Sequence, residues 1–370
     1  MNTLSTHPVV LLLLLWGMSE LVRRFLMGDG DSPVPSGGIV MAGSIFVIGA
    51  VGHLGLPGIV GRLVVLELLV VWGYLAFSYV RSGLGGGLDE SIRQPMGVFG
   101  VGTWVAGSAV LGRALLQVLP EWRSVGLALW VVAVVVWLWY LRLLPAAFRA
   151  AADPGGGYRA NGAILLSVVS TQSLVVAGEA LLPGGLPQPV SAALILLGYL
   201  FYAAGLVLIL RRYGFRSDWT LADDWDNTNC ILHGAMSITG LAIVASGALP
   251  AGLAVLTWVW VAATFVVVEA IEAARAFFRV RAYGWRDGVF VYNPTQWSRN
   301  FTYGMLYAFT LQIHESPSAP DSWAAGPQEA ILGYGHYAVL AALLVEIVIF
   351  FYDRIEAGPS SPKISGKPSQ

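Results

Sequence analysis

The run LWVVAVVVWLWYL at 129–141 contains only apolar and aromatic residues, and it lies within a longer apolar window at 122–144. About 20 such residues in a helix are long enough to cross the hydrocarbon core of a bilayer. Similar windows, bounded by Gly, Pro and charged residues, recur along the chain and predict a polytopic all-α membrane protein. The eleven predicted spans are 7–22, 38–54, 58–80, 96–119, 122–144, 160–182, 189–213, 228–248, 252–274, 296–314 and 333–353.

The composition of the chain points to the same class. Of its 370 residues 56% are hydrophobic and only 12% are charged, and the mean hydropathy is +0.69. A soluble domain carries about 25% charged residues, so this chain has too few charges to cover a water-facing surface. The composition excludes a soluble enzyme, a secreted disulfide scaffold and a nucleic-acid binder. The net charge of −1 also gives no general attraction to nucleic acid.

Three regions are predicted: an extra N-terminal helix with its linker at 1–34, a transmembrane domain at 35–355 and a disordered tail at 356–370. In the first region Arg23 and Arg24 follow the apolar run. A signal peptide carries its positive charges before that run. The sequence therefore predicts a signal-anchor or interfacial helix at 7–22.

Basic residues occupy every second connection between the predicted spans, whereas the opposite connections contain few. Basic connections lie on the cytoplasmic side of a membrane. We therefore predict a multi-pass protein of the cell (plasma) membrane with a cytoplasmic C-terminus and an external loop at 315–331. The basic residues are Arg23, Arg24, Arg81, Arg93, Arg142, Arg149, Arg159, Arg211, Arg212, Arg216, Arg275, Arg279, Arg281, Arg286, Arg354, Lys363 and Lys367.

From residue 38 onward the ten spans form five successive hairpins whose first and second members differ in composition. The first members carry small and hydroxyl residues, and the second members are richer in Leu, Val and Trp. Because lipid offers hydroxyl groups no partner, this contrast predicts five polar-leaning inner helices surrounded by five apolar outer helices. Two interpretations stay open at this point: an aqueous path between the inner helices, or ordinary helix packing through Ser, Thr and Gly without a pore.

Histidines and carboxylates within or near the spans are further candidates for function. Haem or a metal could use His53, His233, His314 and His336, but no HxxH, HxxxH or CxxC spacing occurs among them, and we assign no metal, cofactor or catalytic residue. A visible spectrum and a metal analysis would reveal such a redox protein. Candidates for proton coupling are Glu67, Glu179 and Glu346. By contrast, Glu269, Glu272 and Arg275 have the spacing of an i, i+3 ion pair at the emerging end of a helix.

The segment YNPTQWSRNFTYGMLYAFT at 292–310 is the most informative part of the chain. Asn293-Pro294 breaks the backbone, so a helix is expected to begin near 295. Arg299 then lies about one turn into the span, where it must meet water, a carboxylate or an anion. Phe301 could close a narrow path between helices, or it could simply fill the protein core.

Five segments together resemble the tellurite-resistance/dicarboxylate transporter family, which includes the plant slow-type anion channels and fungal malate and sulfite carriers. The resemblance covers residues 35–355, and its segments occur in the family's order on the five inner helices. They are PSGGIVMAGSIFVIGA at 35–50, FGVGTWVAGSAVLG at 99–112, NGAILLSVVSTQSLVVAG at 161–178, GAMSITGLA at 234–242 and YNPTQWSRNFTYGM at 292–305.

The resemblance implies a ten-helix core of five hairpins around a central pore, in a homotrimer whose protomers each move a small anion across the lipid bilayer. The family plugs its pore with a phenylalanine four residues after a tryptophan, which selects Phe301 after Trp297 as the pore gate. The residues predicted to line the pore or bind the anion are Arg299, Asn300, Thr302, Thr103, Ser170, Thr171, Gln172, His233 and Ser237.

The chain departs from the family pattern close to that gate. Thr302 follows Phe301 where the family commonly has proline, and Arg299 and Asn300 replace apolar residues. His233 also replaces an apolar residue, just before the glycine of its span. Despite these departures, the resemblance implies a channel or transporter for small anions rather than an enzyme. The alternatives are a membrane-embedded haem or metal redox protein and a non-conducting receptor or assembly subunit on the same scaffold.

Overall fold

Each predicted span falls on a helix in the structure, a computed structural model that describes residues 7–26, 32–86, 92, 94–153, 159–316 and 325–357. The regular structure of these residues is entirely helical. In chain order the helices are α1 (Pro8–Leu26), α2 (Gly37–Gly49), α3 (Gly58–Leu84), α4 (Pro95–Gly100), α5 (Gly102–Val118), α6 (Arg123–Ala152), α7 (Leu166–Leu181), α8 (Gln188–Phe215), α9 (Leu221–Asp224), α10 (Ile231–Ser246), α11 (Ala251–Val289), α12 (Trp297–His314) and α13 (Ala325–Ala357).

Seven helical segments among the described residues are long and apolar enough to cross a membrane, which confirms an all-α membrane protein. They are α3, α4 with α5, α6, α7, α8, α10 and α11. Four of the eleven predicted spans, on α1, α2, α12 and α13, are not among these seven. The 13 residues of α2 cover only about 20 Å at 1.5 Å per residue, less than the hydrocarbon core. Most of the predicted tail, from residue 358, and the middle of the predicted external loop, 317–324, lie outside the described residues.

Burial divides the helices into two classes. In the apolar windows of α5, α7 and α10, 89% of the residues are buried inside the protein, against 28–33% for α3, α6, α8 and α11. The buried residues of α2 and α12 also run along almost the whole of each helix. These five helices thus contact protein over nearly all of their surface. The longer helices expose large apolar side chains, which suit contact with lipid.

Contacts among the five buried helices form a closed cycle. Helix α2 packs against α5, α5 against α7, α7 against α10, α10 against α12, and α12 against α2. Each longer helix packs across two of them: α3 on α2 and α5, α6 on α5 and α7, α8 on α7 and α10, α11 on α10 and α12, and α13 on α12 and α2. We refer to these as the inner and the outer helices. Helix α1 packs on α3, where Ser19 donates a 2.6 Å hydrogen bond to Glu67.

Glycines allow the inner segments to approach one another closely. A methyl group added at Gly102 would collide with the Leu166 backbone carbonyl, and one added at Gly234 would collide with Thr302. The same holds for Gly37 against Thr103, Gly162 against Thr228 and Gly304 against Ile45. Four of these contacts join the starts of neighbouring inner helices, and that of Gly304 with Ile45 joins the middles of α12 and α2, so the inner helices run parallel. Small residues thus bring the helix backbones together, as in other membrane helix interfaces.

Short 3₁₀ turns capped by polar side chains precede three of the inner helices. The side chains of Asn161, Asp226 and Asn293 accept hydrogen bonds from the backbone N–H groups of Ala163, Thr228 and Thr295. Asn293 also takes part in a capping box with Gln296. These caps satisfy N–H groups that have no partner inside the helix, so the sequence fixes where each of the three inner helices begins.

Tryptophans of the outer helices hold hydroxyl groups of the inner helices. The indole N–H of Trp72 donates to Ser108 at 2.8 Å, that of Trp137 to Thr171 at 3.0 Å, and that of Trp258 to Thr310 at 3.0 Å. A buried indole N–H needs such an acceptor. The hydroxyl-rich inner helices and tryptophan-rich outer helices of the sequence are therefore partners in helix packing.

Candidate functional site

A group of charged side chains lies between α11 and the first turns of α12. The Arg299 guanidinium is 2.7 Å from one Glu272 carboxylate oxygen, and Arg275 is 3.4 Å from the same oxygen. Glu272 is only 6% exposed, so both arginines compensate a carboxylate that is almost removed from solvent. The predicted i, i+3 ion pair between Glu272 and Arg275 is present, but Arg299 reaches Glu272 from a different helix.

The segment before α10 holds these charges in place. Trp225 donates its indole N–H to Glu272 at 3.0 Å, and Arg275 donates to the Asn227 side-chain oxygen at 2.7 Å. The Asn227 amide donates in turn to Thr295 at 3.3 Å, at the start of α12. Nearby, Asp224 forms ion pairs with Arg159 and Arg212, and Arg279 donates to the Ala222 carbonyl oxygen. Basic residues from several connections therefore meet at one end of the helices.

A second carboxylate, Glu269, lies one turn earlier on α11. Tyr303 of α12 donates its hydroxyl to one Glu269 oxygen at 2.6 Å, and the other oxygen is 3.9 Å from Nε2 of His233 on α10. The His233 side chain has no exposed surface, and its ring meets Phe265 edge to face. We call Glu269, Glu272, Arg275, Arg299 and His233 the charged cluster. Its two carboxylates and two guanidinium groups have a formal net charge of zero.

Several polar atoms around this cluster are buried without a partner among the described residues. They are both ring nitrogens of His233, the Glu269 oxygen that faces it, the side-chain oxygen of Asn300, and the Nε atoms of Arg275 and Arg299. A buried polar atom without a hydrogen bond costs about 1–3 kcal/mol. These unpartnered atoms lie where α10, α11 and α12 meet. A bound water molecule, proton or ligand would supply the hydrogen bonds that they lack.

Phe301 lies two residues beyond Arg299 and has no exposed surface. Trp297, one turn earlier on the same side of α12, donates its indole N–H to the Tyr292 hydroxyl at 3.1 Å. Burial raises the pKa of Tyr292 to about 12, so this hydroxyl stays protonated and its oxygen can accept that bond. Thr302, the residue after Phe301, packs its methyl group against Gly234 and continues the helix.

All five hydroxyl residues predicted to line a pore or bind an anion donate to a backbone carbonyl of their own segment. The bonds are Thr103 to Gly100, Ser170 and Thr171 to Ser167, Ser237 to His233, and Thr302 to Arg299, at 2.7–3.1 Å. A hydroxyl in this arrangement has already used its only donor. To bind an anion, each would have to break its present bond.

The remaining predicted lining residue, Gln172, points toward an outer helix. Its amide donates to the Ile195 carbonyl of α8 at 3.2 Å, and its side chain lies against Gly198. Of the nine predicted lining residues, the structure therefore brings Arg299, Thr302 and His233 to the interface of α10, α11 and α12, with Asn300 beside them. Ser237 lies on α10, one turn after His233. Thr103, Ser170, Thr171 and Gln172 lie at contacts of other helices.

The four histidines considered for haem or metal binding do not come together. His53 and His336 lie near each other, with ring centroids 6.4 Å apart, and His314 faces Gln328 at 3.3 Å. These three lie at or beyond the C-terminal ends of α2 and α12, or next to them on α13, whereas His233 lies in the first turn of α10. Among the described residues, no group of three or more His, Cys, Asp or Glu side chains could hold a metal ion.

The convergence of these charges is not visible in the sequence. The sequence predicts Glu269, Glu272 and Arg275 at the emerging end of a long helix, and α11 continues beyond them as far as Val289, with a break at Gly284, where φ is 78°. The i, i+3 spacing of acid and base was the available signal. The contributions of Trp225, Asn227 and Tyr303 come from separate segments and carry no local signature.

Two comparisons with known proteins give no match. No family model matches the chain, and no curated protein is significantly similar to it in sequence.

Proposed function

We propose that this protein is a membrane channel or transporter for small anions and a member of the tellurite-resistance/dicarboxylate transporter family. One observation carries the proposal: five buried inner helices contact one another in a closed cycle, and Phe301 lies wholly buried on the helix that completes it. The glycines at the contacts of these helices belong to the five segments on which the resemblance rests. The proposed path runs along the axis of the ten-helix core, through each protomer of a homotrimer.

The proposed gate acts by excluding water. A phenyl ring in a path a few ångströms wide leaves an ion nothing to replace its hydration shell, so conduction stops by dewetting. A closed gate should have no exposed surface, and Phe301 has none. The spacing of four residues sets Trp297 and Phe301 on one side of α12, so the anchored indole helps to fix the helix that carries the gate.

The preference for anions would come more from helix ends than from Arg299. The charge of Arg299 is largely compensated by Glu272 at 2.7 Å. The inner helices run parallel, and each helix N-terminus carries a partial charge of about +0.5. Five such ends at one entrance, together with the basic connections, would create a potential that attracts anions and disfavours cations.

The proposed orientation sets this basic end in the cytoplasm of a cell whose plasma membrane holds the protein. Arg159, Arg212 and Arg279 all contact residues 222–224, so basic connections from different hairpins share one end. Cysteine labelling of intact cells tests the orientation. Ser322→Cys should react with an impermeant reagent and Ser360→Cys should not; the reverse pattern would invert the topology.

Anion flux into liposomes is the decisive test of the proposed function. The purified protein is reconstituted, and the flux of chloride, nitrate, sulfite and malate is compared with that of potassium and with protein-free vesicles. We expect flux of at least one anion and none of potassium. Absence of anion flux from both the folded wild type and folded Phe301→Ala would refute the proposal.

A non-conducting receptor or assembly subunit on the same scaffold is the second candidate. The hydroxyl groups expected to line the pore favour it, because each already donates to its own backbone. A path lined by such groups would offer an anion few free donors. The two candidates differ in their response to removal of Phe301, which opens a pore in one case and leaves a silent protein in the other.

A further inference from the structure

The His233–Glu269 pair has a geometry that neither packing nor the proposed gate explains. Nε2 of His233 and the nearest Glu269 oxygen are 3.9 Å apart, which is too far for a hydrogen bond and too close for unrelated groups. Neither atom has another hydrogen-bond partner among the described residues. The second Glu269 oxygen accepts a bond from Tyr303 at 2.6 Å, which holds the carboxylate toward the histidine.

The charged and titratable groups around the pair come from four segments. Helix α11 contributes Glu269 itself with Glu272 and Arg275, and α12 contributes Arg299 and Tyr303. The turn before α10 contributes the buried thiol of Cys230, which lies within electrostatic range of Glu269, Glu272 and Arg299. On α13, Glu346 is acted on by the charge of Arg299. Arg275 and Arg299 both contact Glu272, whereas Glu269 has no arginine within ion-pair distance among the residues that the structure describes.

We propose that His233 and Glu269 together bind a proton, and that this proton controls the passage of anions through the same protomer. The inference rests on the proposed function for its consequence, but the proton site itself stands on the geometry of the pair. The His233 ring, with its own hydrogen on Nδ1, accepts a proton at Nε2 from hydronium in the surrounding water, and Nε2–H then donates to Glu269. One N–H bond forms as one O–H bond of hydronium breaks, and a water molecule is left.

Two consequences follow from binding that proton. First, the charged cluster with His233 neutral has two arginines and two carboxylates, so one proton changes its formal charge from zero to +1 and raises the local potential for an anion. Second, forming the hydrogen bond requires Nε2 of His233 and the Glu269 oxygen to move from 3.9 Å to about 2.8 Å apart. His233 is followed by Gly234, which contacts Thr302 next to Phe301, so this movement reaches the proposed gate through direct contacts.

The proton site is tested first without any transport measurement. The chain has five histidines, so ¹⁵N-histidine NMR in lipid nanodiscs can resolve each ring, and His233→Gln identifies the signal of His233. We expect that signal to titrate, and Glu269→Gln to move its midpoint to lower pH by about one unit, because a nearby carboxylate favours the charged imidazole. A His233 signal that does not titrate, or that ignores Glu269→Gln, would overturn the proton site.

The control of anion passage is tested by flux into liposomes between about pH 5 and about pH 8, the range in which histidine switches. We expect wild-type flux to be about tenfold higher at the acidic end, an ordinary size for coupled sites. In His233→Gln and Glu269→Gln the ratio should fall to less than about twofold, whereas His314→Gln, at the other end of α12, should keep the wild-type ratio.

The two experiments separate the possible failures. A titrating, Glu269-dependent His233 in a protein without anion flux would leave the proton site intact and refute the proposed function. Anion flux with the same pH dependence in wild type, His233→Gln and Glu269→Gln would keep the proposed function and refute the control by this pair. Thermal unfolding of each variant identifies any that lost its fold, and Glu269→Asp then replaces Glu269→Gln.

Discussion

Helix α7 and the interface of α10, α11 and α12 both bury many polar side chains, but they satisfy them to different extents. In α7 the hydroxyls of Ser167, Ser170, Thr171 and Ser173 all donate to backbone carbonyls at 2.7–3.1 Å, and the Gln172 amide donates to α8. Only the Gln172 side-chain oxygen lacks a partner there, among the described residues. At the other interface, both ring nitrogens of His233, one oxygen of Glu269 and the side-chain oxygen of Asn300 lack a partner in the same part of the chain.

The difference teaches that a polar residue in a membrane helix is not by itself a sign of function. The hydroxyls of α7 donate to backbone carbonyls of their own segment. Thr171 also accepts a hydrogen bond from the indole N–H of Trp137, so these groups stabilise helix packing. The unpartnered atoms of His233, Glu269 and Asn300 are costly to the fold, and such a cost is tolerated where the molecule binds something. The comparison predicts that substitutions in the two regions have different effects.

The largest effect on stability is expected at Arg299. Arg299→Ala leaves the buried Glu272 carboxylate without the cation at 2.7 Å, and breaking such a pair costs about 3–5 kcal/mol of the free energy of unfolding. Anion flux should fall as well, and Arg299→Lys should keep part of both. The double variant Arg299→Ala/Glu272→Gln should recover much of the stability. If Arg299→Ala unfolds at the wild-type temperature, the ion pair does not hold this interface.

A smaller effect is expected where glycine allows the inner helices to touch. A methyl group at Gly240 of α10 would overlap the Phe309 ring of α12, and overpacking of this kind costs about 1–3 kcal/mol. Gly73, on the outer helix α3, has nothing within 4 Å of an added methyl group and is the matched control. Thermal unfolding should show a loss for Gly240→Ala and none for Gly73→Ala. Equal melting temperatures of Gly240→Ala and Gly73→Ala would contradict the closer packing of the inner helices.

The smallest effect is expected in α7. Ser173→Ala removes a hydroxyl that donates to the Val169 carbonyl at 2.7 Å, and that carbonyl can still accept its helical N–H. We expect a loss of no more than about 1 kcal/mol and no change in anion flux. Flux that drops several-fold in this variant, with the melting temperature preserved, would mean that α7 hydroxyls face the path of the anion after all.

Much of the fold could be predicted because a membrane helix can be recognised from the composition of a short stretch of sequence. Apolar windows such as 122–144 are visible without knowledge of any contact, and the split into polar and apolar hairpin members corresponds to the observed difference in burial. The ends of α11 could not be predicted in this way. Charged residues at 269–275 indicate the emerging end of a helix when no partner for them is known. Here Arg299 pairs with Glu272, and Trp225 and Asn227 form hydrogen bonds with Glu272 and Arg275 from distant segments.

The candidate site shows the same limit. Arg299 could be singled out from sequence because an arginine one turn into a span must find a partner, but Glu272 could not be named as that partner. Likewise, Thr171 and Gln172 are polar and buried, yet nothing local tells whether they face an axis or an outer helix. The direction of a side chain around a helix depends on the neighbours that pack on it. Those neighbours are set by the tertiary fold.

The most direct test of the central claim compares two phenylalanines of α12 that are both fully buried. Phe309 packs on Gly240, so Phe309→Ala should cost about 3–5 kcal/mol of stability and leave the path closed. Phe301→Ala should instead raise anion conductance about tenfold, which corresponds to a barrier lower by about 1.4 kcal/mol, with little change in melting temperature. If Phe301→Ala lowers the melting temperature as Phe309→Ala does and the reconstituted protein stays silent, Phe301 is a packing residue and the account of a gated anion path is contradicted.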